Sequence, residues 1–236
     1  MIASASENFQ SFTWILLLLA TLLGLIFGWG GTLLVDRVPS KKRLWTRSKN
    51  SFKRSPHHPI IELATASLFL ASVFIFQNWI DLLLWLVLVI FGIPLAVIDL
   101  TMHRLPDLLT GALFVCSAAI ILGDAFHRHH FNRIIPGVIG ALALPAFYIA
   151  LMIISRGGMG MGDVKLSAGI GLVSGFFGLH TLLVGSFATY LFGSIISIAL
   201  MILGKAGRKT PIPFGPFMLV GQAIALIYAA QPISFR

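Results

Sequence analysis

Long apolar runs, each about the length of a membrane-spanning helix, follow one another along nearly the whole chain. A helix needs about 17–25 mostly apolar residues to cross a bilayer. Only 11% of the residues are charged, against roughly 25% in soluble globular proteins. The sequence therefore predicts an all-α, polytopic membrane protein with about eight transmembrane helices. The predicted spans are approximately residues 12–35, 60–77, 80–99, 107–123, 135–155, 163–180, 182–203 and 214–230.

The first apolar run is predicted to be a membrane anchor rather than a cleaved signal peptide. Glu7 is the only charged residue before it, so the basic segment typical of a signal peptide is missing, and a dense basic run follows it. The single cysteine, Cys116, lies inside an apolar run. An internal disulfide and a cysteine-based metal site are therefore excluded, and cysteine usage does not reveal the redox compartment.

Positive charge is concentrated in alternate loops of this predicted topology. Cytoplasmic loops of membrane proteins are enriched in Lys and Arg. Of the 17 Lys and Arg residues, all but Arg128, Arg133 and Arg236 fall on one side. That side is predicted to be cytoplasmic, so both termini are predicted to be extracytoplasmic. The bias also supports an even number of spans.

The longest polar stretch is a basic loop at residues 36–59. Its composition is typical of a loop that lies near anionic lipid headgroups, and an ordered docking site for a substrate or partner is the alternative. Nucleic-acid binding is not expected, because no fold or aromatic pattern accompanies the charge. Since no linker and no repeat divide the sequence, residues 1–236 are predicted to form a single membrane-embedded domain.

Two carboxylates at the predicted cytoplasmic span ends are the main candidates for chemistry. Ionisable residues within spans cost roughly 2.5–3.5 kcal/mol on insertion scales, so each is a functional hypothesis. Asp99 closes the third span, where the negative end of the helix dipole disfavours a carboxylate; a solvated interface anchor is the alternative. Asp163 follows Gly160 and Gly162 at the start of the sixth span, and an N-cap is its alternative. The glycines also permit close approach of an extended chain.

The predicted topology places Asp99 and Asp163 at the same membrane face. Two facing carboxylates can share one proton, so that one activates water while the other protonates a peptide carbonyl. The helix dipoles predict Asp163 as the base and Asp99 as the acid. The alternative is a non-enzymatic membrane protein, either a small transporter with a paired-aspartate site or a catalytically silent assembly factor.

Three further acids have weaker assignments. Asp107, which follows Pro106, is predicted to be the N-cap of the fourth span, with a supporting role near the site as the alternative. Glu62 is predicted to be a first-turn acid of the second span that complements the helix dipole. Asp36 lies among basic residues and is predicted to be solvated.

Histidines and methionines near these segments give no strong site. The adjacent pairs His57–His58 and His129–His130 fall on opposite sides of the membrane, so they cannot form one metal site. His103 is close to Asp99 in sequence and is a candidate modulator of it. Met159 and Met161 are predicted to line a hydrophobic peptide groove or, equally, to face lipid.

Several short motifs are distributed from about residue 24 to residue 230. They are Gly160-Met161-Gly162-Asp163 with Lys165, Ile98-Asp99, Leu105-Pro106-Asp107, Pro211-Ile212-Pro213-Phe214-Gly215-Pro216-Phe217, His58-Pro59-Ile60-Ile61-Glu62-Leu63 and Arg37-Val38-Pro39. Together they resemble the type IV prepilin peptidases, the GxGD-type intramembrane aspartyl proteases. A lone GxGD motif would be weak, but its combination with the upstream aspartate and the Pro-Phe-Gly-Pro stretch is specific.

The resemblance implies an eight-span inner-membrane endopeptidase. Such an enzyme removes the basic leader peptide from type IV prepilins or pseudopilins at the cytoplasmic face, in pilus assembly or type II secretion. The resemblance implies Asp99 and Asp163 as the catalytic pair. The residues that it implies as supporting the site are Gly160, Gly162, Lys165, Pro106 and Asp107. Prepilins and membrane lipids are the expected partners, and proteolysis is expected to need no cofactor.

The chain departs from the bifunctional members of that family in one region. Those members carry a longer first cytoplasmic loop with two Cys-x-x-Cys pairs, and they methylate the new N-terminus with S-adenosylmethionine. Here the loop is short, basic and free of cysteine, and residues 28–34 replace the family's Gly-Ser-Phe-Leu-Asn run. No zinc site is therefore expected, and the use of S-adenosylmethionine is in doubt.

Overall fold

The computed structural model describes residues 2–37, 58–129, 131–155, 159–205, 207, 210 and 212–230, with the side chains of the first helix described from Leu17 to Val35. This part of the chain is all helical. Its eight α-helices are α1 (Ile2–Arg37), α2 (His58–Ile75), α3 (Trp79–Met102), α4 (Asp107–Arg128), α5 (Ile134–Ile154), α6 (Met161–Phe177), α7 (Leu179–Ile202) and α8 (Gly215–Ala230). A short 3-10 helix, Phe131–Arg133, precedes α5. The predicted all-α class with eight helices is confirmed.

Some helix ends differ from the predicted spans, and each difference has a local cause. Helix α4 continues to Arg128, because Asp124 and Arg128 lie four residues apart and pair along its last turns. Helix α6 ends at Phe177, because Gly178 has a φ of 124° that continues no helix. Most of the predicted basic loop, residues 38–57, lies outside the described residues, so the single-domain assignment of residues 1–236 stays a prediction.

The described helices have the dimensions and surface of a multi-pass membrane protein. Five segments are long and apolar enough to cross a membrane, namely Leu17–Val35, Trp79–Met102, Asp107–Arg128, Phe131–Ile154 and Leu179–Ile202. Helices α2 and α8 are apolar but shorter. Large apolar side chains such as Leu22, Phe74 and Phe187 are exposed on the outside. This surface suits contact with lipid chains, and the prediction of a polytopic membrane protein is confirmed.

Helices α3 and α6 are the two centres of the bundle. Helix α3 packs against α1, α2, α4 and α8, whereas α6 packs against α4, α5, α7 and α8. Helices α4 and α8 therefore join the two centres. Twelve of the seventeen residues of α6 are buried, so this helix is surrounded by protein rather than lipid. The candidate aspartates lie on these two central helices, Asp99 on α3 and Asp163 on α6.

Glycines bring the backbones of α5 and α6 into direct contact. A Cβ atom on Gly171 would meet the carbonyl oxygen of Gly140, and one on Gly175 would meet the carbonyl oxygen of Pro136. Close approach through small residues is how helices associate in lipid, where apolar burial alone gives little driving force. These contacts fix the position of α6, and with it that of Asp163.

At the end of the bundle opposite Asp99 and Asp163, a buried acid joins four helices. Asp124 on α4 is 2% exposed, and its Oδ1 accepts a hydrogen bond from Arg128 Nε at 2.7 Å. Its Oδ2 lies 4.0 Å from Arg133, next to α5. The guanidinium of Arg128 lies over the ring of Trp79, and that of Arg133 over Phe176. This arrangement holds together the ends of α3, α4, α5 and α6.

We expect Gly171→Ala to destabilise the protein by about 1–3 kcal/mol, because the added methyl forces two backbones apart. Gly123→Ala is the matched control, since Gly123 lies within α4 with open space around its Cα. The control should be neutral or stabilise by up to about 1 kcal/mol, since alanine favours helix over glycine. Thermal unfolding of the two variants in detergent measures the difference, and equal melting temperatures would contradict the role given to the glycine contact.

Candidate active site

Asp99 is a buried carboxylate near the end of α3. The residue is 5% exposed, and its Oδ2 accepts a hydrogen bond from the Gly215 backbone N–H at 3.0 Å. Gly215 is the first residue of α8, where backbone N–H groups have no partner within their own helix. A Cβ atom at this position would lie 2.8 Å from Asp99 Oδ2. Glycine therefore lets the helix end approach the carboxylate.

This contact explains why a carboxylate is tolerated at a place that its own helix disfavours. The negative end of the α3 dipole faces Asp99, but the positive end of the α8 dipole faces it as well. A helix N-terminus is a favourable site for a negative charge, because N–H groups and dipole act together. The alternative of a water-exposed interface anchor is wrong, since the side chain is buried.

Asp163 lies in the first turn of α6 and is 8% exposed. Gly160 is the N-cap of this helix, with φ −79° and ψ 148°. The N-cap alternative for Asp163 is therefore wrong, because the residue is the third of the helix. Its carboxylate reaches back beside the Gly160 backbone N–H, an arrangement that acids at this position commonly adopt.

The structure brings Asp99 and Asp163 to the same edge of the bundle. Leu105, in the connection between α3 and α4, packs against both Gly162 and Gly215. The side chain of Leu105 therefore contacts the start of both α6 and α8. The two carboxylates are close enough to interact electrostatically. Neither has a Lys or Arg partner within 4.0 Å among the described residues, so two acids share a site without a neutralising cation.

The remaining predicted site residues lie beside this pair. Lys165 Nζ lies 2.7 Å from Asp107 Oδ2, which links α6 to the start of α4. Pro106 is the N-cap of α4, so the prediction that Asp107 is the N-cap is wrong, and Asp107 is the first residue of the helix. Proline offers no side-chain acceptor, so the sequence gives no signal for this cap. The alternative for Asp107, a position near the site, agrees with the ion pair.

An aromatic group adjacent to Asp163 was missed by the sequence analysis. Tyr148 on α5 and Tyr190 on α7 stack with ring centroids 6.2 Å apart, and the Asp163 carboxylate interacts electrostatically with both hydroxyls. Phe214, directly before Gly215, lies 5.5 Å from the Tyr190 ring. The sequence gives only a weak signal for this group. Helices α3–α8 contain three tyrosines, Tyr148, Tyr190 and Tyr228, and each lies within a long apolar run.

The remaining predicted residues, an acid, a histidine and two methionines, differ in part from the sequence-based expectations. Glu62 is the fifth residue of α2, so it is not a first-turn acid. His103 follows α3 in the left-handed region, and its exposed side chain interacts electrostatically with Asp99, so it stays a candidate modulator of that carboxylate. Met159 packs against the core, whereas Met161 is 57% exposed. Among the described residues, no group of three or more His, Cys, Asp and Glu is arranged to hold a metal ion.

Comparison with known proteins finds a family that shares the segment carrying both aspartates. A model of the type IV leader peptidase family matches residues 85–203, a segment that contains both Asp99 and Asp163. The chain belongs to this family. It is therefore a peptidase, and the alternative of a non-enzymatic membrane protein is set aside. The predicted resemblance to prepilin peptidases is confirmed.

Individual family members match most of the chain. A prepilin leader peptidase/N-methyltransferase of Bacillus subtilis is 30% identical over 181 residues, which is 75% of this chain and 68% of that protein. The protein of the same name from Aeromonas hydrophila is 31% identical over 205 residues, or 82% and 67% of the two chains. That of Pseudomonas aeruginosa is 32% identical over 189 residues, or 74% and 59%. No solved structure matches the chain significantly.

Two ion pairs of this protein, Asp124 with Arg128 and Asp107 with Lys165, provide a graded stability test. Asp124→Asn should destabilise by about 1–3 kcal/mol, because Asp124 is buried and holds a charge-assisted hydrogen bond. Asp107→Asn should cost less than about 1 kcal/mol, because Lys165 and Asp107 are 46% and 72% exposed. Unfolding in detergent at low and high salt measures both. A larger loss for Asp107→Asn would show that the buried pair is not the stronger one.

Proposed function

We propose that this protein is an aspartyl endopeptidase that removes the leader peptide from type IV prepilins or pseudopilins. The observation that carries the proposal is the meeting of two buried carboxylates, Asp99 and Asp163, at one edge of the bundle without a neutralising Lys or Arg among the described residues. The names of its relatives supply the substrate class. The alternation of basic loops supports a site at the cytoplasmic face.

The pair hydrolyses a peptide bond by moving two protons. One carboxylate accepts a proton from water, whose oxygen attacks the carbonyl carbon, while the other carboxyl group donates a proton to the carbonyl oxygen. In the resulting diol, the carboxyl group that took the proton from water donates it to the amide nitrogen, the other carboxylate takes a proton from a diol hydroxyl, and the C–N bond breaks. The products are a carboxylic acid, which ionises, and an amine, and the pair again holds one proton. Like charges held close together favour a single shared proton, as this cycle requires.

Gly215 gives the two acids different surroundings. Its N–H contacts Asp99 alone, and this contact orients the Asp99 carboxylate while leaving its other oxygen free for chemistry. Asp163 instead begins α6 beside the backbone of Gly160. Lys165, two residues after Asp163, pairs with Asp107 and tethers α6 to α4. In our proposal these residues hold the two carboxylates in position, and they do not exchange protons with the substrate.

The substrate enters from the membrane. A leader peptidase substrate has a basic leader followed by an apolar helix, so the helix lies in the bilayer while the leader reaches the cytoplasm. Because the enzyme itself carries a formal net charge of +9, simple charge complementarity does not explain recognition of a basic leader. Anionic lipid headgroups next to the basic loop are the proposed intermediary. Because eight spans are proposed and the basic loop is proposed to be cytoplasmic, we propose that both termini lie outside the cytoplasm, in a bacterial-type inner membrane.

Proteolysis is proposed to need no cofactor. A single cysteine occurs in the chain, so the residues do not fit a zinc site built from two Cys-x-x-Cys pairs. The relatives' names include N-methyltransferase, but the chain covers about two thirds of their length. We therefore propose the peptidase activity for this chain and leave S-adenosylmethionine-dependent methylation as an outcome of the product mass. The added mass of one methyl group would reveal it.

Both aspartates should be required for cleavage. We expect Asp99→Asn and Asp163→Asn each to lower the cleavage rate by at least about 10²-fold, the scale of a lost general acid or base. Asp81→Asn is the matched control, since Asp81 lies in the first turn of α3 at the other end of the bundle and should leave the rate unchanged. Co-expression with a prepilin and mass spectrometry of the product measure cleavage. Cleavage that survives loss of either Asp99 or Asp163 would overturn the proposed pair.

Gly215→Ala should lower activity although it removes no functional group. The added Cβ would lie 2.8 Å from Asp99 Oδ2, so the carboxylate or the start of α8 must shift. A displacement of about 1 Å at a catalytic group can cost about 10²-fold in rate. Gly111→Ala, at an open position in α4, is the control that should retain activity. Normal cleavage by Gly215→Ala would show that the hydrogen bond from α8 is dispensable.

A further inference from the structure

An open apolar groove lies between α4 and α5 on the outside of the bundle. Its volume is about 330 Å³. Helices α4 and α5 make few contacts with each other, whereas both pack against α6. Helix α6 is therefore the floor of the groove, and the side facing lipid is open. Residues that line it include Ala118 and Ile121 of α4, Val138 and Leu142 of α5, and Ala168 and Leu172 of α6.

The shape of the groove suits another helix. Small side chains line it on all three helices, namely Ala118, Ala141 and Ala168. In lipid, small residues let helices approach closely enough to associate through van der Waals contact. The large side chains of Leu122 and Leu142 are 45% and 68% exposed, so they do not close the groove. An apolar helix from the bilayer can therefore pack against its floor.

At the end nearer the catalytic pair, the surface along the groove changes from apolar to acidic. Asp107 begins α4 seven residues before Phe114, which lines the groove, so the two lie on the same face of the helix. Asp107 is 72% exposed, and Lys165 of α6 contacts one of its two carboxylate oxygens. The carboxylate can therefore also attract a cation from outside the bundle.

This order of surfaces is complementary to a leader peptidase substrate, in which a basic leader precedes an apolar helix. Local charge complementarity at Asp107 is possible even though the whole enzyme is basic. Ala168 and Leu172 follow Asp163 by five and nine residues, so they lie about 8 and about 14 Å farther along α6. The groove therefore extends into the membrane from the level of the catalytic pair, in the direction that the apolar helix of the substrate must take.

The start of α6 separates the groove from the catalytic carboxylates and has to be crossed. Asp163 is directed into the bundle, whereas Ala168 lies on another side of the helix. Gly160, directly before α6, is exposed, and a Cβ atom at this position would lie 3.6 Å from Asp163 Oδ2. Because glycine has no side chain, an extended peptide can cross here and reach the carboxylate.

We propose that the groove between α4 and α5 is the docking site for the apolar helix of the prepilin, with Asp107 beside the basic leader and the intervening segment crossing α6 at Gly160. The inference rests on the peptidase function proposed above and adds where the substrate binds. Docking in the groove brings the scissile bond to the two carboxylates and holds it there. The groove itself takes no part in the chemical step.

Ala141→Leu tests the groove, because the larger side chain fills part of it without contacting the catalytic pair. We expect KM for a purified prepilin in proteoliposomes to rise about 10-fold, the scale of a small misfit in an apolar pocket. The kcat at saturating substrate should stay unchanged, since binding alone is weakened. Ala143→Leu is the matched control, because Ala143 is exposed on roughly the opposite face of the same helix. It should keep the wild-type KM, and both variants should melt as the wild type does.

Disulfide crosslinking tests the docking site without filling it. The uncut complex is formed with an Asp163→Asn enzyme in which Cys116→Ala removes the native thiol. Leu142→Cys in this enzyme should crosslink to a cysteine placed in the apolar helix of the prepilin. Ile195→Cys is the control, since Ile195 is 53% exposed on α7, away from the groove. It should give no crosslink.

The outcomes separate this inference from the proposed function. If the wild type leaves the prepilin uncut, the peptidase proposal fails, and the docking site fails with it. If the wild type cuts and Asp163→Asn does not, a wild-type KM for Ala141→Leu shows that lipid rather than substrate occupies the groove, and only the docking site is overturned. An effect of Ala141→Leu confined to kcat, or equal crosslinking at positions 142 and 195, would also overturn it. A raised KM together with a crosslink at position 142 alone would support it.

Discussion

Direct backbone contact between glycine-containing helices is the constraint on which the rest of this structure depends. In lipid, apolar burial gives little force to hold helices together, so close packing must do so. At α5 and α6 the approach is limited by carbonyl oxygens, and no side chain larger than hydrogen fits at Gly171. A similar approach brings Gly24 of α1 against the backbone at Ala66 of α2. The central position of α6 follows, and Asp163, on the inward-facing side of its first turn, is enclosed by neighbouring helices.

Because α6 is enclosed by other helices, the carboxylates at its edge are removed from water, which is only partly compensated by the groups around them. A carboxylate removed from water needs donors or a cation, and a cation would suppress the chemistry proposed for the pair. Asp99 accepts a hydrogen bond from one backbone N–H of another helix. Asp163 is stabilised by the N-terminal end of its own helix. Lys165, two residues after Asp163, pairs instead with Asp107 on the exposed side of α6. The pair is thus stabilised by dipoles and keeps its capacity to exchange protons.

Much of the fold could be predicted from sequence, because long apolar runs in a membrane protein indicate membrane-spanning helices. The alternation of Lys and Arg also predicted that Asp99 and Asp163 share an edge, and the structure places them there. The contact between Asp99 and Gly215 could not be predicted, since 116 residues separate them and glycine offers no side chain to interpret. Tyr190 was hidden among apolar residues. Asp124 and Arg128, by contrast, lie four residues apart within one helix, and that spacing could have predicted their pairing.

The donor at Gly215 has a consequence for how the site responds to mutation. Every amino acid except proline carries the same backbone N–H, so replacing side chains one at a time would not identify the partner of Asp99 by its chemistry. Position 215 is restricted by volume alone, because anything beyond a hydrogen atom meets the carboxylate. An essential glycine in such a scan is usually explained as a turn or a flexible joint. Here it marks where one helix end serves as the functional group of another.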